Sequence, residues 1–237
     1  MTSTSDKDKQ REGINKRRLL VTLLALPVYF ALFMFLPAGT LTWMKGWLFL
    51  LVFLGIVAVA CVYLWRVNPE VVVARSQTHT GTKRWDRVLL YFFFPATYSI
   101  VPVAALDDGR FHWFPVPWWV CVSGYVLLFV GMGIITWAQA VNRFFEPTVR
   151  IQTERGHKVI DTGPYAIVRH PGYVSAFFTF PGMALSLGSL WALLPACIAV
   201  LLLILRTLWE DKTLKAELPG YNEYTERVRY KLIPGVW

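Results

Sequence analysis

Six apolar runs, most of them about as long as a bilayer is thick, constrain the fold of this chain more than any other feature. A helix needs about 20 consecutive apolar residues to cross the hydrocarbon core. Of the 237 residues, 55% are hydrophobic and 16% are charged, whereas soluble domains average about 45–50% and about 25%. The sequence therefore predicts an all-α, polytopic integral membrane protein with about six transmembrane helices. The predicted spans are approximately 19–38, 46–65, 88–106, 118–141, 173–187 and 190–209.

The third and fifth runs are irregular. Pro95 and Pro102 lie inside the third run and predict kinks. The fifth run is short and contains Pro181 and Gly182, so a partial or re-entrant helix is an alternative to a full span. Only two residues join the fifth and sixth runs, which predicts a tight antiparallel hairpin.

The distribution of basic residues predicts the orientation. The chain carries a net charge of +9, and with six spans nearly all Lys and Arg outside them fall in segments on one side. The positive-inside rule makes that side cytoplasmic, so a multi-pass protein with both termini in the cytoplasm is expected. The basic residues form no continuous stripe, which favours anionic membrane lipid over nucleic acid as the partner.

Three regions follow from this pattern. Residues 1–18 are predicted to be a disordered, basic cytoplasmic tail, and residues 19–141 to hold the first four transmembrane helices. Residues 142–237 are predicted to form a catalytic and cofactor-binding region that includes the helical hairpin and a C-terminal amphipathic helix over about 220–232. The three cysteines lie inside apolar runs without disulfide or metal-ligand spacing, so no metal site is expected.

The polar segment before the fifth run contains the first candidate site. His170 and Pro171 lead directly into the run, and proline suits the first turn of a helix. Such a helix start presents free N–H groups and a partial positive charge to an anion such as a carboxylate. The alternative is an interface anchor that contacts lipid phosphate.

The second candidate pair lies at the end of the sixth run. Arg206 and Glu210 are four residues apart and share a helix face. Charged residues near a membrane usually face a cavity, although a snorkelling arginine beside an exposed glutamate is the alternative. Asp211 is predicted to belong to a solvated helix end.

An ordered set of motifs resembles the isoprenylcysteine carboxyl methyltransferase family, which is similar to phospholipid N-methyltransferases and, more distantly, to membrane sterol reductases. The resemblance covers about a third of the chain, from residue 152 to the C-terminus. The motifs are Gly163-Pro164-Tyr165, Arg169-His170-Pro171-Gly172-Tyr173, Arg206-x-x-x-Glu210-Asp211, Gly220-Tyr221-Asn222-Glu223-Tyr224 and Ile233-Pro234.

This resemblance implies a membrane methyltransferase that uses S-adenosyl-L-methionine in a cytoplasmic pocket near the C-terminus and acts on a lipophilic acceptor. It implies that Arg206 is the catalytic residue that contacts the acceptor. The implied cofactor-binding residues are Gln152, His157, Lys158, Val159, Ile160, Tyr165, His170, Pro171, Gly172, Tyr173 and Glu210.

Carboxyl O-methylation of the isoprenylcysteine type is favoured, with phospholipid or amine N-methylation and thiol S-methylation left open. A carboxylate is already ionised at neutral pH and needs no base. An amine or thiol must lose a proton, which would make His157 or His170 a candidate base. Two other classes are less favoured. The chain lacks the paired basic residues that a sterol-type NADPH reductase needs for the dinucleotide phosphates. Its first four spans also lack the polar path that a non-enzymatic membrane protein such as a transporter would need.

Overall fold

The computed structural model describes residues 16–76 and 81–237, and within the first helix it describes the side chains of residue 25 and of residues from 27 onward. Most of the predicted tail, residues 1–15, lies outside the described residues. Regular structure in the described residues is helical throughout, which confirms the all-α prediction. The helices are α1 Lys16–Ala38, α2 Met44–Val67, α3 Pro69–Ser76, α4 Arg84–Ala104, α5 Trp118–Val141, α6 Pro171–Val174, α7 Ala176–Ser186, α8 Leu193–Glu217 and α9 Tyr221–Arg227.

Four of the predicted membrane spans have helices that are long and apolar enough to cross a bilayer. These are α2, α4 with its π-helical extension to Phe111, α5 and α8. The first predicted span falls in α1, whose described apolar part is Pro27–Ala38. The fifth falls in α6 and α7, which together run from Pro171 to Ser186. At 1.5 Å per residue this segment is about 24 Å long, shorter than the roughly 30 Å hydrocarbon core. Its length favours the partial helix over a full span.

Helix α5 packs against α7 through glycines. A Cβ atom on Gly124 would lie 2.2 Å from the backbone nitrogen of Ser186, and one on Gly131 would lie 2.6 Å from that of Thr179. Small residues at such positions let two helix backbones approach closely. Gly133 differs, because a Cβ atom there would meet no described atom within 4 Å.

The interior of the helix bundle is apolar. A cluster of buried side chains joins α1, α2, α4, α5 and α7 with the connection into α8. Its fully buried members include Met34, Phe49, Ile100, Leu128 and Leu187. Because this cluster fills the interior of the bundle, the polar contacts lie at the two ends of the bundle.

One end of the bundle is held together by two aspartates. Asp108 accepts hydrogen bonds from Trp43 Nε1 at 2.8 Å and from Lys45 Nζ at 2.5 Å. Asp107 accepts one from Ser189 Oγ at 2.6 Å. These bonds connect the loops that join α1 to α2, α4 to α5 and α7 to α8.

The other end, called here the basic end, gathers the segments that follow α2, α5 and α8. Glu70 forms ion pairs at 3.0 Å with Arg143 and with Arg155. Lys83 pairs with Glu217 at 2.7 Å. The basic segments therefore lie at one end of the helices, which is the arrangement that their alternation along the sequence predicts.

Candidate functional site

A cleft with a cavity volume of about 120 Å³ opens at the basic end. Its walls come from the loop after α5, the segment leading into α6, the last turns of α8, and α9. The cleft therefore joins polar loop residues to the end of a membrane helix.

The structure brings ten of the eleven predicted cofactor residues to this cleft. The lining includes Gln152, His157, Lys158, Val159, Ile160, Tyr165, His170, Gly172, Tyr173 and Glu210. Pro171 is buried at the first position of α6, beside the lining residues His170 and Gly172. Arg206 is not part of the lining.

Glu210 is the carboxylate of the cleft that forms no ion pair among the described residues, although the charge of Arg206 one helical turn away acts on it. Its Oε2 accepts a hydrogen bond from the hydroxyl of Tyr173. Glu146, the other acid in the lining, is bound by Arg150, whose Nε and Nη2 lie 2.7 and 2.9 Å from its two oxygens. A positively charged ligand group would therefore find its free counter-charge at Glu210.

Arg206 lies one helical turn before Glu210, but its guanidinium is already engaged. Its Nε lies 2.7 Å from Asp86 Oδ1 and its Nη2 lies 3.1 Å from Asp86 Oδ2. The same Nη2 donates to the carbonyl oxygen of Pro147 at 2.8 Å. The residue is 6% exposed, so the geometry assigns its charge to Asp86 rather than to the cleft.

The structure contradicts the prediction that Asp211 belongs to a solvated helix end. Far from being solvated, it is 4% exposed and accepts hydrogen bonds from Arg169 Nε at 2.8 Å and from the Tyr221 hydroxyl at 3.1 Å. His170 Nε2 lies 3.5 Å from the same carboxylate. Since Arg169 also donates to the carbonyl of Val228 at 2.8 Å, this cluster ties α8, α9 and the C-terminal segment to the cleft wall.

The helix start at His170 offers fewer free donors than predicted. The backbone N–H of His170 donates to Lys231 O at 3.0 Å, and that of Tyr173 donates back to His170 O at 3.0 Å. Pro171 has no N–H. Gly172 keeps the backbone donor that is left in this turn, because no described group accepts from it. The N–H of His170 is occupied because the chain after α9 pairs with this turn.

The C-terminal helix is shorter than predicted for the same reason. It ends at Arg227 instead of near residue 232, because the carbonyls of Tyr230 and Lys231 accept the N–H groups of Arg169 and His170. Tyr221, Tyr224 and Val228 nevertheless bury one common face, together with Leu218. The predicted apolar face is thus real, although part of it lies beyond the helix.

Gln152 and His157 stabilise the loop that forms one wall. The Gln152 side chain donates to Phe144 O at 2.7 Å and accepts from Arg155 at 2.6 Å. Its backbone N–H donates to His157 Nδ1 at 3.3 Å, which leaves the proton of a neutral imidazole on Nε2. Burial lowers the pKa of His157 to about 4, so the ring is neutral at physiological pH and can act as a donor.

Two tyrosines keep their protons in this wall. Burial raises the pKa of Tyr165 and of Tyr224 above the ordinary value. Asn142 donates to the Tyr165 hydroxyl at 3.0 Å, and the Tyr224 hydroxyl donates to Tyr165 O at 2.6 Å. These bonds fix the 3-10 turn Gly163–Ala166 against α5 and α9.

Sequence reasoning missed several residues of the site. Asn142, Glu146 and Arg150 all line the cleft, whereas the sequence favours a solvated loop over the cytoplasmic mouth of a site for these residues. Asp86 and Thr148 carried no signal, because their importance depends on partners far away in the sequence.

Residues 119–218 match the phospholipid methyltransferase family. The match, which spans 100 of the 237 residues, confirms the family resemblance found in the sequence and supports an S-adenosylmethionine-dependent methyltransferase with membrane-type helices. The matched residues run from α5 through the end of α8 and include most of the cleft lining. No curated protein matches the chain.

Proposed function

We propose that this protein binds S-adenosylmethionine in the cleft at the basic end and methylates the amine of a phospholipid headgroup. The observation that carries the proposal is the convergence of ten predicted cofactor residues on one cleft within or beside the segment that matches the methyltransferase family. By the positive-inside rule the basic end faces the cytoplasm, where the methyl donor is dissolved.

The side chains of the cleft suit the charges of the methyl donor. S-adenosylmethionine, when bound, supplies a methyl group carried on a positive sulfonium, and its amino-acid end has an ammonium and a carboxylate. Glu210, which forms no ion pair among the described residues, would hold the positive charge. Lys158 lines the cleft and is likewise unpaired in the described part of the chain, so it would hold the carboxylate together with the Gly172 N–H.

The apolar wall of the cleft would exclude water from the reacting groups. Phe145, Val159, Ile160, Leu214 and Leu218 all belong to the lining. Methyl transfer requires the acceptor and the methyl carbon to be aligned, so the protein contributes mainly by positioning the two partners. The loop after α5 is held by hydrogen bonds to Asp86 of α4 and to Arg206 of α8, which supports that role.

The engagement of Arg206 favours an amine acceptor over the carboxylate that the sequence favours. A carboxylate acceptor needs a free cation to orient it, and the guanidinium of Arg206 is bound by Asp86 and by Pro147 O. An amine needs no such cation, and the family description names phospholipids. We assign Arg206 the role of a positioning residue.

An amine acceptor must lose a proton before transfer, and neither histidine is suited to remove it. Nδ1 of neutral His157 already accepts from Gln152 N–H, and His170 Nε2 lies between Asp211 and Tyr221 at 3.5 Å from each. The proton is therefore lost to solvent before transfer, which makes the rate depend on the concentration of the free amine.

The test uses purified protein in lipid nanodiscs with methyl-labelled S-adenosylmethionine. Separate preparations contain an ethanolamine phospholipid or a prenylated cysteine with a free carboxyl group. Label should enter the ethanolamine phospholipid, at a rate that rises about tenfold per pH unit between about pH 7 and 9, because alkyl ammonium groups have pKa values near 10. Labelling of the prenylated cysteine alone, with a rate independent of pH, would establish carboxyl methylation instead.

A further inference from the structure

Thr148 belongs to the lining of the cleft, and its buried side-chain hydroxyl has no hydrogen-bond partner among the described residues. It is one of four buried side-chain oxygens that have no hydrogen-bond partner among the described residues, together with those of Tyr29, Thr97 and Tyr125. Of these four residues, Thr148 alone belongs to the cleft lining. A buried hydroxyl without a partner costs free energy, so its presence in a binding cleft indicates a ligand atom that completes it.

The backbone on both sides of Thr148 is held by the same ion pair. Pro147 O accepts from Arg206 Nη2 at 2.8 Å, and Val149 N donates to Asp86 Oδ2 at 2.8 Å. Arg206 and Asp86 are bound to each other at 2.7 Å. Thr148 is therefore fixed to α4 and α8 by two backbone hydrogen bonds, a preorganisation that an unused loop residue would not need.

These hydrogen bonds connect Thr148 to a part of α8 that lies deeper in the helix bundle than Glu210. Arg206 precedes Glu210 by four residues in α8, which is about 6 Å further from the end of that helix. Asp86 lies in the first turn of α4. A lipid acceptor that reaches the cleft between the helices would approach from the bundle interior, whereas Lys158 and Gly172 are contributed by the loop and by α6.

We infer that the Thr148 hydroxyl donates a hydrogen bond to a phosphate oxygen in the headgroup of the lipid acceptor, and that Asp86 and Arg206 position it. The inference rests on the proposed function, because it assigns one subsite of the same cleft to the acceptor. Phosphate oxygens are strong acceptors that a threonine hydroxyl satisfies directly.

The test compares Thr148→Val, which removes the hydroxyl at nearly constant shape, with Thr148→Ser, which keeps it. Thr162→Val is the matched control, since Thr162 is exposed at the same end and its side chain caps nothing. Thr148→Val should raise the KM for the ethanolamine phospholipid by about three- to tenfold, the effect of one hydrogen bond. Thr148→Ser and the control should stay near the wild-type KM.

A second readout separates this inference from the proposed function. Retention of the ethanolamine phospholipid by the purified protein, measured by native mass spectrometry, does not require methyl transfer. Thr148→Val should reduce this retention about threefold or more while the affinity for S-adenosylhomocysteine stays within about twofold of wild type. Unchanged lipid retention in Thr148→Val, or a loss of S-adenosylhomocysteine affinity without a loss of lipid retention, would overturn the inference even if the protein methylates another acceptor.

Discussion

Asp86 and Arg206 are 120 residues apart in the sequence, yet the Arg206 Nε lies 2.7 Å from Asp86 Oδ1 in a pair that is almost fully buried. The pair joins α4 to α8, and its members also bind the backbone of Pro147 and Val149. One wall of the cleft is thereby held by a contact between two membrane helices.

Removal of one partner from this pair should destabilise the fold strongly. Asp86→Ala leaves the Arg206 charge buried without its counter-charge, which costs about 3–5 kcal/mol. The melting temperature measured in detergent should fall strongly in Asp86→Ala. Glu217→Ala is the matched control, because it breaks the partly exposed pair with Lys83 and should cost about 1 kcal/mol or less. Similar losses in both variants would contradict the role given to the buried pair.

Gly172→Ala should close the cleft without unfolding the protein. A Cβ atom on Gly172 would lie 2.7 Å from the ring of Phe145, so the ring must move within the cleft that both residues line. Affinity for S-adenosylhomocysteine should fall by about tenfold or more, or about 1.4 kcal/mol. Gly133→Ala is the control, since a Cβ atom there meets no described atom within 4 Å. An unchanged affinity in Gly172→Ala would remove this turn from the binding site.

The membrane helices were largely predictable, because hydropathy alone requires a helix wherever about 20 apolar residues must cross a bilayer. Helices α2, α4, α5 and α8 follow that rule. The short helix α3, Pro69–Ser76, was not predicted. The π-helical turn Ala105–Phe111 was missed as well, because no local pattern distinguishes it from the end of a span.

The candidate site was predictable where its residues form a local motif. Motifs selected residues 157–160, Tyr165, His170, Gly172, Tyr173 and Glu210, and these residues meet in the cleft. Asp211 was assigned to solvent because its partner Arg169 is 42 residues away, and spacing along one helix gives no information on such a contact. Asp86 and Thr148 were missed for the same reason.

Acid should destabilise the protein through His157. Its pKa is about 4 in the folded protein and about 6.5 in an unfolded chain. Between these values the unfolded state binds more protons, so stability is complete above about pH 6.5 and falls as the pH is lowered toward about 4. His157→Gln should reduce the difference between melting temperatures measured at about pH 7 and about pH 5. An identical pH dependence in wild type and His157→Gln would show that His157 is not buried in neutral form.

The cytoplasmic assignment of the basic end can be tested by cysteine labelling in cells. The native Cys61, Cys121 and Cys197 are first replaced by serine or alanine. A single cysteine at Glu154, which is exposed at the basic end, should react with an impermeant maleimide only after permeabilisation. A single cysteine at His112, exposed at the opposite end, should react from outside. Labelling of the Glu154 position from outside would reverse the topology and exclude a cytoplasmic cleft.

The central claim, that the cleft binds the methyl donor, is tested most directly by calorimetric titration of the purified protein with S-adenosylhomocysteine. Wild type should bind at a single site, and Glu210→Gln, which removes the free carboxylate of the cleft, should bind about tenfold more weakly or worse. Glu223→Gln serves as the control, because Glu223 is exposed on α9 and should keep wild-type affinity. The absence of binding in wild type, or equal affinity in wild type and Glu210→Gln, would contradict the account.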